Sequence, residues 1–357
     1  MIEEMGEVSL KGGMKLKVAR LVPPVEGDEG EDLKKMVEFL RGYMVPEWLR
    51  ERELDAMLEE RLKGRDLEWL RHSYFLGWLD GQIATYAEYT TPSDNKDVGL
   101  LGPIFTIPSL RKQGASSATL DILCKAFEAE GGLFLCAEAE NEGEEHALAK
   151  VGFREVHADP FGYMWYVGGG HSLEKSVEDY FQRDGDCEVR SLNIADGLRE
   201  PPLTLAAKQW ILSMGFGSIT ELVEEQAASR ILNDEAGPFA EVLTGILNDK
   251  GRLVGTACLA RHEVMDVMLS PHVLWLDFHV HPFYVDMVEE MLMACFDEAY
   301  KRDARWVYAL VPKEEEDKVA CLAGSGFEES CTLRKYLAVR EELWDVALLV
   351  KELGREE

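Results

Sequence analysis

The chain has 357 residues, enough for two domains, and its 46% apolar content suits packed cores. No run of 18 apolar residues occurs, so no membrane-spanning helix is expected, and the acidic start Met1-Ile2-Glu3-Glu4-Met5 does not read as a signal peptide. A net charge of −29, from 38 basic and 67 acidic residues, argues for solubility and against nucleic-acid binding, and it would attract a cationic amine.

Residues 1–14 are polar and glycine-containing and are expected to form a flexible N-terminus. Leu16–Val22 reads as a first strand. Asp32–Met44 reads as a helix with Leu33, Met36, Val37 and Leu40 on one stripe, and Pro46–Leu70 as further helical pieces. Tyr74–Trp78 and Ile83–Ala87, joined across Asp80-Gly81, read as a hairpin. An apolar strand over Leu100–Ile107 runs into Pro108-Ser109-Leu110-Arg111-Lys112-Gln113-Gly114-Ala115-Ser116-Ser117. A helix follows to Glu130, with Ala118, Ile122, Leu123, Ala126 and Phe127 on one face. Leu133–Ala137 reads as a buried strand, followed by Asn141, a short helix, Gly152-Phe153 and a last strand at Tyr163–Val167. After Gly168-Gly169-Gly170, Ser172–Arg183 reads as a connecting helix with a serine cap, and Cys187–Leu192 starts a new strand. The cysteines, at positions 124, 136, 187, 258, 295, 321 and 331, are scattered without a Cys-x-x-Cys, as expected of thiols in a reducing cytoplasm.

The segment after Ile107 carries the chemistry. A helix that opens on Gly, Ala and Ser presents free backbone N–H groups with little bulk around them. The helix dipole, Arg111 and Lys112 add positive charge, so the turn predicts an anion site of phosphate or pyrophosphate type. A Walker loop needs Gly-Lys-Ser/Thr and a dinucleotide fingerprint needs Gly-x-Gly-x-x-Gly; the turn has neither. What remains is Arg111-x-x-Gly114-x-Ser116, with Pro108 three residues before Arg111. This resembles the acyl-CoA pyrophosphate loop of the GCN5-related N-acetyltransferase (GNAT) superfamily, Arg/Gln-x-x-Gly-x-Gly/Ala, with Ser116 where Gly or Ala is usual. Asn141 followed 11 residues later by Gly152-Phe153 matches a second feature of that family, and the resemblance covers Lys15 to Val167.

The second half repeats the first. Val273–Pro282 parallels the strand ending in Pro108, Trp306–Val311 parallels Leu133–Ala137, and Gly326-Phe327 parallels Gly152-Phe153. Pro108 to Gly152 and Pro282 to Gly326 are both 44 residues, which points to a tandem duplication. The second copy lacks the loop: Val285, Val288 and Glu290 stand where Arg111, Gly114 and Ser116 do, and Glu315 replaces Asn141. Asp286, Glu289 and Glu290 would repel a pyrophosphate. The expected organisation is a flexible segment 1–14, an acyl-CoA-binding GNAT domain at 15–170, a connector at 171–186 and a degenerate GNAT-like domain at 187–357.

The resemblance implies an α/β (α+β) fold of two tandem domains, each a mixed, mostly antiparallel sheet flanked by helices. It implies acetyl-CoA as co-substrate, no metal, and transfer of an acetyl group to a small-molecule or peptide amine by direct attack on the thioester. The C-terminal domain would shape the acceptor site, with no nucleic acid or membrane partner and a monomer or homodimer as the unit. The alternative is a non-catalytic acetyl-CoA-binding sensor or scaffold. The resemblance assigns CoA binding to Phe105, Thr106 and Ile107 for the pantetheine arm, to Arg111, Lys112, Gln113, Gly114, Ala115, Ser116 and Ser117 for the pyrophosphate, and to Asn141. For general base, Glu88 in mid-strand ranks first, with Glu138 and Glu140 behind it. The usual thiolate acid of the family, a Tyr four residues before the Gly of Gly-Phe, is here Leu148. His146 lies on another helical face, which leaves Tyr163, Tyr166 or water as the acid. His279-x-His281 is a spacing a metal could use, but no third ligand stands at motif spacing, and the pair is expected to line the space between the domains.

Overall fold

The computed structural model describes residues 2–25, 34–39, 61–139, 141–156, 163–205, 210, 242–260, 272–339 and 342–354. Two compact units form. The first holds the described residues up to 177 together with 194–202; the second holds 178–193, 203–205, 210 and the described residues from 242 onward.

The first unit contains β1 (Ile2–Ser9), β2 (Lys15–Leu21), β3 (Leu70–Leu79), β4 (Gln82–Pro92), β5 (Val98–Leu101), β6 (Phe105–Thr106), helix α1 (Ala115–Ala129), β7 (Phe134–Ala137), helix α2 (Glu142–Lys150), β8 (Arg154–Glu155) and β9 (Met164–Val167). The strands lie in the order β1-β2-β3-β4-β5-β7-β9-β8, with β6 on β4. The N-terminus is therefore not a flexible segment as expected: β1 pairs antiparallel with β2 from Ile2↔Leu21 to Ser9↔Lys15. A register shift between Glu4 and Gly6 breaks the alternation there. Ile2, Met5 and Val8 are the half-buried residues, a spacing of three that does not read as a strand. The hairpin of β3 and β4 turns at Asp80 (φ 50°) and Gly81 (φ 79°), both left-handed, as a two-residue turn between twisted strands requires.

The strand expected over Leu100–Ile107 is two strands. Pro103 has no N–H with which to extend a ladder. The Gly102 amide instead donates to the Glu88 carbonyl of β4 at 2.9 Å. Parallel pairing of β5 with β7 runs from Val98↔Phe134 to Leu101↔Ala137. Past that point β6 pairs with β4 through Thr85↔Thr106 and Tyr86↔Phe105. Beyond Leu101 and Ala137 the two chains part and leave a fork in the sheet.

Both faces of this sheet are covered. On one, α1 buries Leu120, Leu123, Ala126 and Phe127 against Phe75, Tyr89 and Leu135, and Ala118 and Ile122, expected on the same face, pack against this core partly buried. On the other, Leu21, Tyr74, Leu76 and Tyr86 pack with Met36, Val37, Phe39 and Leu62. Residues 34–39 are helical; the rest of the helix expected over Asp32–Met44, and most of Pro46–Leu70, lie outside the described residues.

The second unit contains β10 (Glu188–Ser191), β11 (Val242–Leu247), β12 (Leu253–Ala260), β13 (Val273–Val280), β14 (Trp306–Pro312), β15 (Glu328–Val339) and β16 (Glu342–Glu352). Their order is β10-β11-β12-β13-β14-β16-β15. This is the order of β2-β3-β4-β5-β7-β9-β8, and the senses agree pair by pair, including the single parallel pair, β13 with β14. The connecting helix α3 (Leu173–Tyr180) precedes β10, and the Ser172 hydroxyl caps it by accepting the Lys175 amide at 3.3 Å. Helix α4 (Val288–Lys301) follows β13, and α5 (Glu316–Gly324) follows β14.

Below α1, Arg20 on β2 is 6% exposed. Its guanidinium pairs with Glu130 at 2.5 Å and donates to Ser73 Oγ at 2.7 Å and the Tyr89 hydroxyl at 3.0 Å. Partial burial pushes the Glu130 carboxyl up, but Arg20, with Arg71 and Lys96 behind it, outweighs burial and holds it below the ordinary carboxylate range. A carboxylate lowered in the folded state adds stability above its unfolded pKa and loses it as pH falls through the folded value. Glu130→Gln is thus expected to cost about 1–3 kcal/mol at neutral pH and progressively less as pH falls below the ordinary carboxylate range, in urea unfolding followed at descending pH. A cost independent of pH would contradict this.

Candidate functional site

The anion loop forms at the end of the fork. The Ile107 amide donates to the Ala84 carbonyl at 3.0 Å and ties the exit of β6 to β4. A single 3-10 turn, Pro108–Leu110, follows, with Leu110 buried. The chain then takes left-handed conformations at Lys112 (φ 64°) and Gly114 (φ 94°). Gly114 is the N-cap of α1, and no side chain caps this helix end. The first helical hydrogen bond runs from the Ala118 amide to the Gly114 carbonyl at 3.0 Å. The amides of Ala115, Ser116 and Ser117 therefore have no partner within the helix. A Cβ built on Gly114 would meet nothing within 4 Å, so the space beside the N-cap of α1 is open. Left-handed residues that turn successive N–H groups to one side make an anion-binding concavity.

The other loop residues shape this cradle. Ala115 is buried beneath it, and Ser116 and Ser117 are half-buried. Arg111 Nε donates to the Thr106 carbonyl at 3.3 Å, and its guanidinium lies 5.8 Å over the Phe105 ring. Gln113 serves the backbone: its side chain donates to the Ser109 carbonyl at 3.2 Å, and its carbonyl accepts the Lys11 amide at 3.3 Å. Lys112 is exposed. Ladder alternation turns the amide and carbonyl of Thr106 away from β4, toward the open side of the fork.

The carboxylates proposed as bases sit around the fork. Glu88 is half-buried on β4. The Tyr86 hydroxyl donates to its Oε2. A Cβ built on Gly102 would lie 2.5 Å from Glu88 Oε1, so the carboxylate rests on the bare Cα of Gly102, where β5 leaves β7. Burial first, and then the Glu88 charge, push the Tyr74 and Tyr86 hydroxyls well above the usual range, so Tyr86 stays a donor. Glu138 is exposed and follows the last residue of β7. Continued one residue past Ala137↔Met164, the β7–β9 register sets the half-buried Tyr163 opposite Glu138. Glu140 lies outside the described residues.

Several residues singled out in the sequence have other occupations. Asn141 caps α2: its Oδ1 accepts the amides of Gly143 at 3.1 Å and Glu144 at 3.2 Å, which leaves the Nδ2 group as its donor. Leu148 is fully buried in the core, and His146 is exposed. The Tyr166 hydroxyl donates to Glu128 at 2.7 Å. His279 is buried in the second unit's sheet. His281 stacks on Phe181 at 4.3 Å within the same unit, and burial lowers it to about 4. Among the described residues no group of three or more His, Cys, Asp or Glu could hold a metal ion. A cavity of about 530 Å³ lies toward the β1 edge, lined by Glu4, Glu7, Lys17, Leu76 and Trp78 among others, and no loop residue lines it. The contacts of Glu88 with Tyr86 and Gly102 were not foreseen, although alternation along β4 places positions 86 and 88 on one face.

The second unit carries a different turn. After Pro282–Met287 the chain enters α4 through Met287 in the right-handed region (φ −91°), so no left-handed cradle forms. Val288 is buried. Arg183 lies across the turn, donating to Asp286 at 2.7 Å and to the Phe283 carbonyl at 3.2 Å. Glu315, in the place of Asn141, makes no side-chain cap.

Residues 34–153 match the family model described as acetyltransferase (GNAT) family. No curated protein matches the chain. Among solved structures, the chain is similar to an acetyltransferase of the GNAT family from Streptococcus pneumoniae, at 14% identity over 47% of this chain and 100% of that one, with a TM-score of 0.36. It is also similar to ribosomal-protein-S5-alanine acetyltransferase from Vibrio fischeri, at 13% identity over 50% and 98%, TM-score 0.38. A third is spermidine N-acetyltransferase from Vibrio cholerae in complex with CoA and spermine, at 15% identity over 47% and 95%, TM-score 0.34.

The cap at Asn141 is directly testable. Asn141→Ala is expected to lower stability by about 1 kcal/mol, whereas Asn141→Asp, which can accept the same two amides, should match the wild type in thermal unfolding. Equal losses in both variants would contradict the capping role.

Proposed function

We propose, from the match of residues 34–153 to the acetyltransferase (GNAT) family model, that the protein is an acetyl-CoA-dependent N-acetyltransferase whose first unit alone binds the co-substrate. The observation that carries this reading is the open, uncapped cradle at Gly114–Ser117, which fits a pyrophosphate. Acetyl-CoA supplies an acetyl group activated as a thioester. The chain's residues supply the rest. The amides of Gly114 to Ser117 hold the pyrophosphate, with Arg111 and Lys112 adding charge. The outward amide and carbonyl of Thr106, in the stretch Phe105–Ile107, hold the pantetheine arm, and Asn141 Nδ2 is available to it. Both anchors lead to the fork, where Glu88 accepts the proton of an attacking amine. Tyr163, opposite Glu138, is the group best placed to donate a proton to the departing thiolate. The acceptor is a small-molecule or peptide amine. The second unit, with its right-handed turn and the Arg183–Asp286 pair across it, takes no CoA in this manner and shapes the acceptor side.

Calorimetric titration with acetyl-CoA tests the reading. One site per chain is expected. Gly114→Glu should abolish binding, because its carboxylate would project into the cradle. Gly114→Asn, whose side chain tolerates a left-handed backbone, controls for strain and should retain measurable affinity. Two sites per chain, or unchanged affinity in a folded Gly114→Glu variant, would contradict the reading. Binding without acetylation of any amine would favour the sensor or scaffold alternative.

A further inference from the structure

Glu88 is held from two sides by neighbours that have no other evident reason to be what they are. Tyr86 is fully buried, yet it keeps a hydroxyl, and that hydroxyl donates to Glu88 Oε2. A buried phenol is retained where its O–H has a partner to satisfy. Gly102 has no need of glycine for its backbone angles, since its φ is not in the left-handed region. What excludes a side chain there is Glu88: a Cβ would lie 2.5 Å from Oε1, 2.6 Å from Cγ and 3.0 Å from Cδ. The obstructing atoms belong to a flexible side chain, so a methyl group at position 102 would displace the carboxylate rather than the strand. Around the pair, Tyr74 stands directly across from Glu88 on β3; Arg61 contributes to the field at both tyrosines and Asp66 to that at Tyr74.

We propose that Tyr86 and Gly102 are positioning residues that fix the Glu88 carboxylate over the fork, in reach of an amine attacking an acyl group held there. The inference rests on the acetyltransferase reading and deepens it. Tyr86 orients one carboxylate oxygen by hydrogen bonding. Gly102 leaves the space in which the other lies. The Oε1 atom not engaged by Tyr86 is the one that takes the amine proton. Neither positioning residue touches the pyrophosphate cradle, so their effects should fall on turnover and not on co-substrate affinity.

The test uses the full chain, acetyl-CoA and a panel of primary amines that includes spermidine and a peptide N-terminus, with thiol release as the assay and calorimetry for acetyl-CoA affinity. Glu88→Gln should lower kcat by about two to four powers of ten. Gly102→Ala should lower it by about a hundredfold, the scale of a misplacement of about 1 Å, and Tyr86→Phe by about tenfold. Acetyl-CoA affinity should stay within about twofold in all three. In the Glu88→Gln background neither second substitution should lower kcat by more than about twofold, since residues that act through one group are not additive. Tyr86→Phe preserves shape, so it reports even if Gly102→Ala were to perturb folding. Normal turnover in Tyr86→Phe and Gly102→Ala beside a slow Glu88→Gln would overturn the positioning role and leave the base intact. Additive losses in the double variants, or an unaffected Glu88→Gln, would also overturn it. Acetyl-CoA binding with no amine acetylated by the wild type would remove the transfer reading and this inference together.

Discussion

The site depends on the fork between β5 and β7. A parallel pair that ran its full length would seal that gap with backbone hydrogen bonds. Here pairing ends at Leu101↔Ala137. The Gly102 amide has turned to the Glu88 carbonyl, and Pro103 has no amide to offer. The strand resumes as β6 against β4, and the side that would have faced β7 presents Thr106. Several of the proposed site residues lie along this opening: Thr106 on its edge, Glu88 beside Gly102 where β5 leaves β7, and the Gly114 turn where β6 feeds α1. Placing a ligand's phosphates at a helix start and its reactive end between two strands uses backbone groups for anchoring and leaves side chains for chemistry.

The two units share the strand order from β2 and β10 onward and the strand senses, but differ in the backbone of the turn that enters the helix, left-handed at Lys112 and Gly114 in the first and right-handed at Met287 and Val288 in the second. In the first, a left-handed Gly114 lets α1 begin with its amides turned to open space. In the second, the turn runs through a right-handed Met287 into α4, and Arg183 lies across it, paired with Asp286. Strand order and senses are the same in both units although the turns differ, so the sheet and its helices do not depend on the conformation of the turn.

Much of this was readable before any coordinates. The Asp80-Gly81 hairpin, the helix that follows Gly114 and the Ser172 cap all follow from local chemistry that needs no tertiary context. The misreadings have physical causes. The bulge in β1 spaces its half-buried residues three apart and hides the strand. The split of Leu100–Ile107 falls at Pro103, which has no amide for a further rung, and the resumption of the strand against Tyr86 and Thr85 of β4 is a long-range fact. Asn141 keeps its place, but a capping role that uses its acceptor is local and shows itself in geometry. Leu148 stands at a position where family resemblance directs attention to an acid, yet its side chain is core. The role of Tyr86 was masked because a tyrosine among apolar strand residues reads as packing, and its hydroxyl partner two residues along becomes visible only when the face is built.

Backbone hydrogen exchange with and without CoA tests the central claim most directly, because it reads the amides themselves. The account predicts that CoA slows exchange at Gly114, Ala115, Ser116 and Ser117 and leaves residues 282–290 of the second unit unchanged. Protection confined to the second turn, or no change at the first-turn amides of α1 under saturating CoA, would contradict it.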